Sequence, residues 1–170
     1  MNILFIYRNT MYDIEYLKAS LAAEKKYMEL AFLEAQIAEE AGEVPVGAVV
    51  VSASGEVLAS AGNRTETEKD PTAHAEVIAI REAAKKMSSE RLAGCDLYCT
   101  LEPCAMCAAA ISYARIQRLF FAAYDVKAGA VTHGVNFFSS SSCHHSPEVI
   151  GGIEEQRAAS MLKKFFSLQR

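Results

Sequence analysis

A chain of 170 residues that is 51% apolar and 22% charged, with 9 Gly and 4 Pro, has the size of one domain and the composition of a folded one. Those values exclude a disordered, collagen-like or low-complexity protein. Its 17 basic and 21 acidic side chains give a net charge of −4, which argues against a partner held by bulk positive charge and leaves room only for a local basic patch.

In chain order, residues 1–24 form the least interpretable stretch and read as an extension, or as an early start with Met11 also available. Ile3 to Tyr7 is too short for a signal-peptide core and no basic segment precedes it. No apolar run approaches the ~18 residues of a membrane span, so a cytoplasmic chain is expected. From Tyr27 to Ala41, Leu30, Leu33, Ile37 and Ala41 recur at helical spacing and Gly42 supplies the stop. Residues 46–61 read as a hairpin, with β-branched Val46 to Val51, a turn at Ser52–Gly55, and Val57 to Ala61 returning. Residues 62–70 are a polar loop. Asp70-Pro71 then opens a helix that runs to about Met87, because Asp suits the cap and Pro the first helical position.

Leu97 to Thr100 is a strand, Glu102-Pro103 starts an alanine-rich helix ending near Ile116, and Leu119 to Tyr124 is a buried strand. A long irregular stretch with four serines at 139–142 follows, then a short strand at Val149-Ile150. After Gly151-Gly152 comes an amphipathic helix with Ala158, Met161, Leu162, Phe165 and Leu168 on one stripe. A helix, a hairpin, then alternating helix and strand predict an α/β domain over 25–170. It has three layers, α/β/α, around a central mixed sheet of about five strands, antiparallel at the hairpin and parallel at the helical crossovers.

Five cysteines in a cytoplasmic chain read as metal ligands, catalytic groups or core residues before disulfides. Two short motifs carry chemistry: His74-Ala75-Glu76 and Pro103-Cys104-Ala105-Met106-Cys107. Cys104 and Cys107, three apart on a helix, share a face and can grip one ion. A helix N-terminus and a divalent cation both favour thiolate. With the imidazole of His74 they make a three-ligand zinc site with one open position, which is the catalytic pattern; structural zinc closes with a fourth protein ligand. Zinc lowers the pKa of bound water from about 15.7 to roughly 7, and Glu76 is placed to move that water's proton. Residues two apart on a helix diverge by roughly 200°, so His74 and Glu76 serve one site only at a helix end. A redox pair, a structural zinc site completed by Cys95, Cys99, Cys143, His144 or His145, and plain core cysteines are the competing readings. For Cys95, Cys99 and Cys143 themselves, packing is the expected role.

His-x-Glu followed by Pro-Cys-x-x-Cys is the signature of zinc nucleobase deaminases. From about Tyr27 onward the chain resembles the bacterial tRNA-specific adenosine deaminases. The likeness is carried by Val44–Val49, Gly62-Asn63-Arg64, Asp70–Glu76, Thr100–Cys107 and Tyr124–Ala130. It implies the cytidine-deaminase fold, one Zn2+ held by His74, Cys104 and Cys107, and Glu76 as proton shuttle. It implies Asn63 as a contact to a flipped adenine, and Asp125 and Lys127 as loop residues beside the anticodon strand. It further implies a homodimer acting on a tRNA anticodon stem-loop, where wobble adenosine becomes inosine. Ser146 stands where a basic residue is common, and of Phe165-Phe166 spacing leaves only Phe166 for an outward role. Lys127, Lys163, Lys164 and Arg170 could form a basic rim, and Arg64 lies beside the adenine contact. Two other functions stay open: deamination of a free base or nucleotide such as cytosine or guanine, and a non-catalytic zinc-stabilised RNA-binding protein.

Overall fold

The computed structural model describes residues 4–7 and 10–168, with side chains from residue 22 onward. A hairpin of β1 (Leu4–Tyr7) and β2 (Thr10–Asp13) leads into α1 (Ile14–Glu40). The main body follows as β3 (Gly47–Val51), β4 (Val57–Gly62), α2 (Thr65–Glu68), α3 (Ala75–Met87) and β5 (Asp96–Leu101). It closes with α4 (Ala105–Ala114), β6 (Arg118–Ala123), a 3-10 turn at Phe137–Ser139, β7 (Glu148–Gly151) and α5 (Glu155–Leu168). The five-stranded sheet has the order β4-β3-β5-β6-β7, antiparallel at β4–β3 and β3–β5 and parallel at β5–β6 and β6–β7. That is the predicted mixed sheet, and no helix of the described residues is long and apolar enough to cross a membrane.

Both sheet faces are covered, so the central strands are buried along their whole length. Ala48, Val50, Leu97, Cys99, Leu119 and Phe121 point toward α3 and α4. The alternate positions Val49, Val51, Tyr98, Phe120 and Ala122 point toward α1 and α5. Tyr98 stacks on Phe120 at 4.4 Å between ring centroids, and Arg157 of α5 lies 4.0 Å over the ring of Phe32 on α1. Arg118 holds buried Asp96 through two guanidinium nitrogens, Nε and Nη2, at the start of β5 and β6.

Helix α1 departs from expectation in two ways. It begins at Ile14, not Tyr27, and runs unbroken across the expected boundary at residue 24. Its buried side is Tyr27, Met28, Ala31, Phe32, Ala35 and Ala38, whereas Leu33 and Ile37 are each 51% exposed and Ala41 is exposed. Close approach explains the choice of face. Gly47 and Gly62 are paired across the hairpin. A Cβ on Gly62 would lie 2.7 Å from the Glu34 carbonyl, and one on Gly47 would overlap the Ala31 carbonyl. The helix backbone rests on the glycines, and small alanines occupy the contact.

The helix starts also moved. Asp70 accepts from the backbone N–H and hydroxyl of Thr72, both at 2.7 Å, so it closes a turn and caps nothing. Helix α3 begins four residues later, at Ala75, and α4 begins at Ala105 instead of Glu102-Pro103. The polar loop contains the single turn α2, and α4 stops at Ala114 because Arg115 turns left-handed at φ 61°. In α5, Phe165 is buried as expected but Leu168 is 76% exposed at the helix end.

Candidate active site

The late starts of α3 and α4 build the site. His74 and Cys104 are the residues immediately before the two helices, both with extended backbone and neither using its side chain as a cap. Each side chain is therefore free to turn toward the other, and Cys107 joins them from the first turn of α4. His74 Nδ1 lies 3.5 Å from Cys107 Sγ and 3.7 Å from Cys104 Sγ. The three donor atoms all fall within 4.8 Å of one another, and no further His, Cys, Asp or Glu of the described residues joins the group. A zinc–nitrogen bond of about 2.1 Å and a zinc–sulfur bond of about 2.3 Å at a tetrahedral angle put N and S roughly 3.6 Å apart. The spacing thus suits one tetrahedral ion with a vertex left over. Starting α3 after His74 also settles how His74 and Glu76 reach one place, because only Glu76 lies in the helix.

Electrostatics follow from the packing. The Cys104 thiol is drawn down to about 4, first by hydrogen bonding with Cys107 and then with His74. Cys107 is pushed up by that shared proton and by burial, and contact with Cys104 raises His74. Burial raises the Glu76 carboxyl, which is 4% exposed. A carboxyl raised toward neutrality exchanges a proton more readily than an ordinary one. Cys95 and Cys99 are buried apart from this group, and Cys143 contacts Ser112 and the His145 carbonyl instead. His145 donates from Nε2 to the Ile116 carbonyl at 2.6 Å.

Beside the group is a cavity of about 190 Å3 lined by His74, Glu76, Cys104, Asn63, Leu101 and Asp125, among others. It sits at the carboxyl end of parallel strand β5, where open α/β sheets present their ligand crevice. Asn63 is buried, and its amide nitrogen donates to Glu43 at 3.1 Å and to Thr65 at 3.0 Å. Asn63 also lines the cavity. Asp125 borders the cavity and accepts from the backbone N–H of Lys127 and Ala128, both at 3.0 Å. Lys127 itself is exposed, and no ion pair joins it to Asp125 among the described residues. Arg64 pairs with Glu68 and Lys164 with Glu39, Ser146 is exposed, and Arg170 lies outside the described residues. Phe166 is 49% exposed beside buried Phe165.

Sequence reasoning missed two buried carboxylates. Gly42, left-handed at φ 80°, ends α1 with bonds from Gly42 N to Glu39 O and from Glu43 N to Ala38 O. That turn delivers Glu43 beneath the 63–67 loop. Burial disfavours its charge, yet donors from Thr67, Glu66 and Asn63 hold its carboxyl below the usual range. Glu102 is the second. Against the same opposition from burial, hydrogen bonds from His133, Thr132 and Asp125 hold it at about 2. A lone Glu has no local signature; only its place inside Thr100-Leu101-Glu102-Pro103 hinted at a role.

Residues 21–123 match the cytidine and deoxycytidylate deaminase zinc-binding region. A tRNA-specific adenosine deaminase of Agrobacterium fabrum is 53% identical over 88% of this chain and 98% of its own length. One from Bacillus subtilis is 42% identical over 86% of this chain and 90% of its own. The solved structure from a study of A-to-I editing by tRNA:A34 deaminases at the wobble position superimposes with a TM-score of 0.79. It is 54% identical and covers 81% of this chain and 99% of that one. The chain belongs to the cytidine and deoxycytidylate deaminase family, in the group of the tRNA-specific adenosine deaminases.

Proposed function

We propose that this protein hydrolyses adenosine to inosine at the wobble position of a tRNA anticodon, with Glu76 as the proton carrier. The observation that carries the reading is the meeting of three metal donors and one buried carboxyl beside a cavity of about 190 Å3. The relatives named above act as the family context for choosing tRNA adenosine over a free base.

His74 Nδ1 and the sulfurs of Cys104 and Cys107 are the atoms that would hold zinc, one ion per subunit. When bound, zinc supplies the Lewis acidity that makes water a nucleophile near neutral pH. Glu76 takes one proton from the attacking water and gives it to the purine ring nitrogen beside C6, then takes the remaining hydroxyl proton and gives it to the amine, which leaves as ammonia. Water oxygen thus becomes the inosine carbonyl and the C6–N bond breaks. Asn63, with its amide nitrogen already committed to Glu43 and Thr65, offers its carbonyl to a donor on the flipped nucleoside. Asp125 and Lys127 form the wall past which the RNA strand enters. A single-stranded loop suits such a pocket because extruding a base there costs less than in a duplex.

The deaminase unit is assigned to residues 25–170, with residues 1–24 preceding it, and the cytoplasm is the compartment where its substrate resides. We also assign a homodimer. An apolar groove of about 680 Å3 between α3 and α4, lined by Val77, Ile80, Met106, Ala109, Ala110 and Tyr113, is the face for the second copy. Tyr113 is 69% exposed there, unusual for a large aromatic.

Purified, zinc-assayed protein is incubated with an anticodon stem-loop bearing wobble adenosine, and inosine is measured. Inosine formed in the stem-loop, with no ammonia from free adenosine, guanine or cytosine, is the expected result. Ammonia from a free base with no inosine in RNA would replace the tRNA reading by nucleobase deamination, and binding without turnover would leave a zinc-stabilised RNA-binding protein.

A further inference from the structure

The cavity wall that follows β6 is a loop with little apolar anchorage at its tip: Val126 is 77% exposed, and Lys127 and Ala128 are exposed. Its far end is seated by buried Ala130 and Val131, and the rest of its hold on the body is polar. Glu102 Oε1 accepts from the backbone N–H of Val131, Thr132 and His133 at 3.2, 2.8 and 2.9 Å, and from the Thr132 hydroxyl at 3.1 Å. Oε2 accepts from Asp125 N–H at 3.1 Å and from His133 Nδ1 at 2.7 Å. The side chain is wholly buried. The loop wraps it so closely that a Cβ on Gly129 would stand 2.6 Å from the Glu102 carboxyl carbon. Without that carboxylate the buried Val131 N–H and the part-buried N–H groups of Asp125, Thr132 and His133 would lose their acceptor.

We propose that Glu102 is a positioning residue, its two oxygens joining both ends of the 125–133 loop to the end of β5 and so fixing where Asp125 and Lys127 stand. The assignment rests on those two residues forming the RNA-strand wall. The geometry makes the oxygens unequal. Oε1 serves only the far end of the loop, and Oε2 alone serves Asp125. Asp125 in turn accepts from Lys127 and Ala128, so the Oε2 bond is the root of the exposed tip. Glutamine at 102 keeps one oxygen, which is best placed at Oε1 where several donors converge. Its NH2 then faces Asp125 N–H, donor against donor. His133 escapes by changing tautomer, but the amide of Asp125 cannot.

The test is Glu102→Gln in the zinc-loaded protein, followed by hydrogen exchange and by steady-state kinetics on the stem-loop. Zinc content stays at the wild-type level, exchange at Asp125–Ala128 accelerates at least tenfold, and KM rises about tenfold with kcat within about threefold. Thr132→Val, which removes an Oε1 donor and a hydroxyl contact to His133 at the far end but leaves Asp125 N–H on Oε2, leaves KM near wild type. Should Glu102→Gln fail to fold, His133→Ala, which weakens the loop at Oε2 while keeping the carboxylate, raises KM about threefold. Unchanged exchange and KM in Glu102→Gln would overturn the proposal, as would a fall of kcat and zinc content together at constant KM. If wild-type protein makes no inosine, the reading of function fails separately and exchange at Asp125–Ala128 decides the role of Glu102 alone.

Discussion

Replacing Glu43 by glutamine tests whether a buried carboxylate organises the other wall of the pocket. Glu43 is 1% exposed. Its Oε2 accepts from Asn63 Nδ2 at 3.1 Å, Thr65 Oγ1 at 3.3 Å and Glu66 N–H at 3.2 Å, and Oε1 accepts from Thr67 N–H at 2.6 Å. The glutamine amide gives up least by keeping its oxygen at the Oε2 place and setting its NH2 against Thr67 N–H. Three charge-assisted bonds then become neutral ones, a loss of about 1 kcal/mol each, and the part-buried Thr67 N–H loses its acceptor at about 1 kcal/mol, the low end for such a group. Shared geometry makes these less than additive, so about 3 kcal/mol of destabilisation is expected. Urea unfolding of zinc-loaded wild type and variant at pH 7 measures it.

The same pair carries a sign in pH. The Glu43 carboxyl lies below its ordinary 4.5 in the folded protein, so its contribution is complete above 4.5 and is lost as pH falls through the folded value. The gap between wild type and variant must therefore narrow on acidification. A difference under about 1 kcal/mol at pH 7, or a gap that widens toward acid, would refute the reasoning.

Glu76→Gln preserves the volume and burial of the side chain but not its ability to accept a proton; inosine formation should fall about 10²–10⁴-fold with zinc content unchanged in a metal assay. Phe32→Ala removes a fully buried ring beneath Arg157 and should cost about 3–5 kcal/mol in urea unfolding. Ser88→Gly should stabilise by about 0.5–1 kcal/mol in thermal or urea unfolding, because Ser88 ends α3 in the left-handed region at φ 52°.

The succession of elements along the chain and the spacing of His74, Glu76, Cys104 and Cys107 were readable because each depends on local pattern. A β-branched run bounded by turn signals marks Val46 to Val51 as a strand, and two cysteines three positions apart share one helical face. What failed depended on distant chain. Leu33 and Ile37 are among the most apolar residues of their helix, but alanines meet the glycine pair, since contact with Gly47 and Gly62 rewards smallness. Asp70 carries the right residue type for a cap, yet Thr72 satisfies it first. Glu43 and Glu102 gave no warning, because their partners lie 20 to 31 positions further along the chain.

The glycine pair also bears on how this fold can drift. Where Gly47 and Gly62 meet the helix, even one extra methyl has no place to go, so natural variation and laboratory selection alike should return glycine at both sites. Helix and hairpin must then change in concert or not at all. Adaptation to a bulkier nucleoside is left to residues that line the cavity outside this contact, such as Leu101 and Ala128.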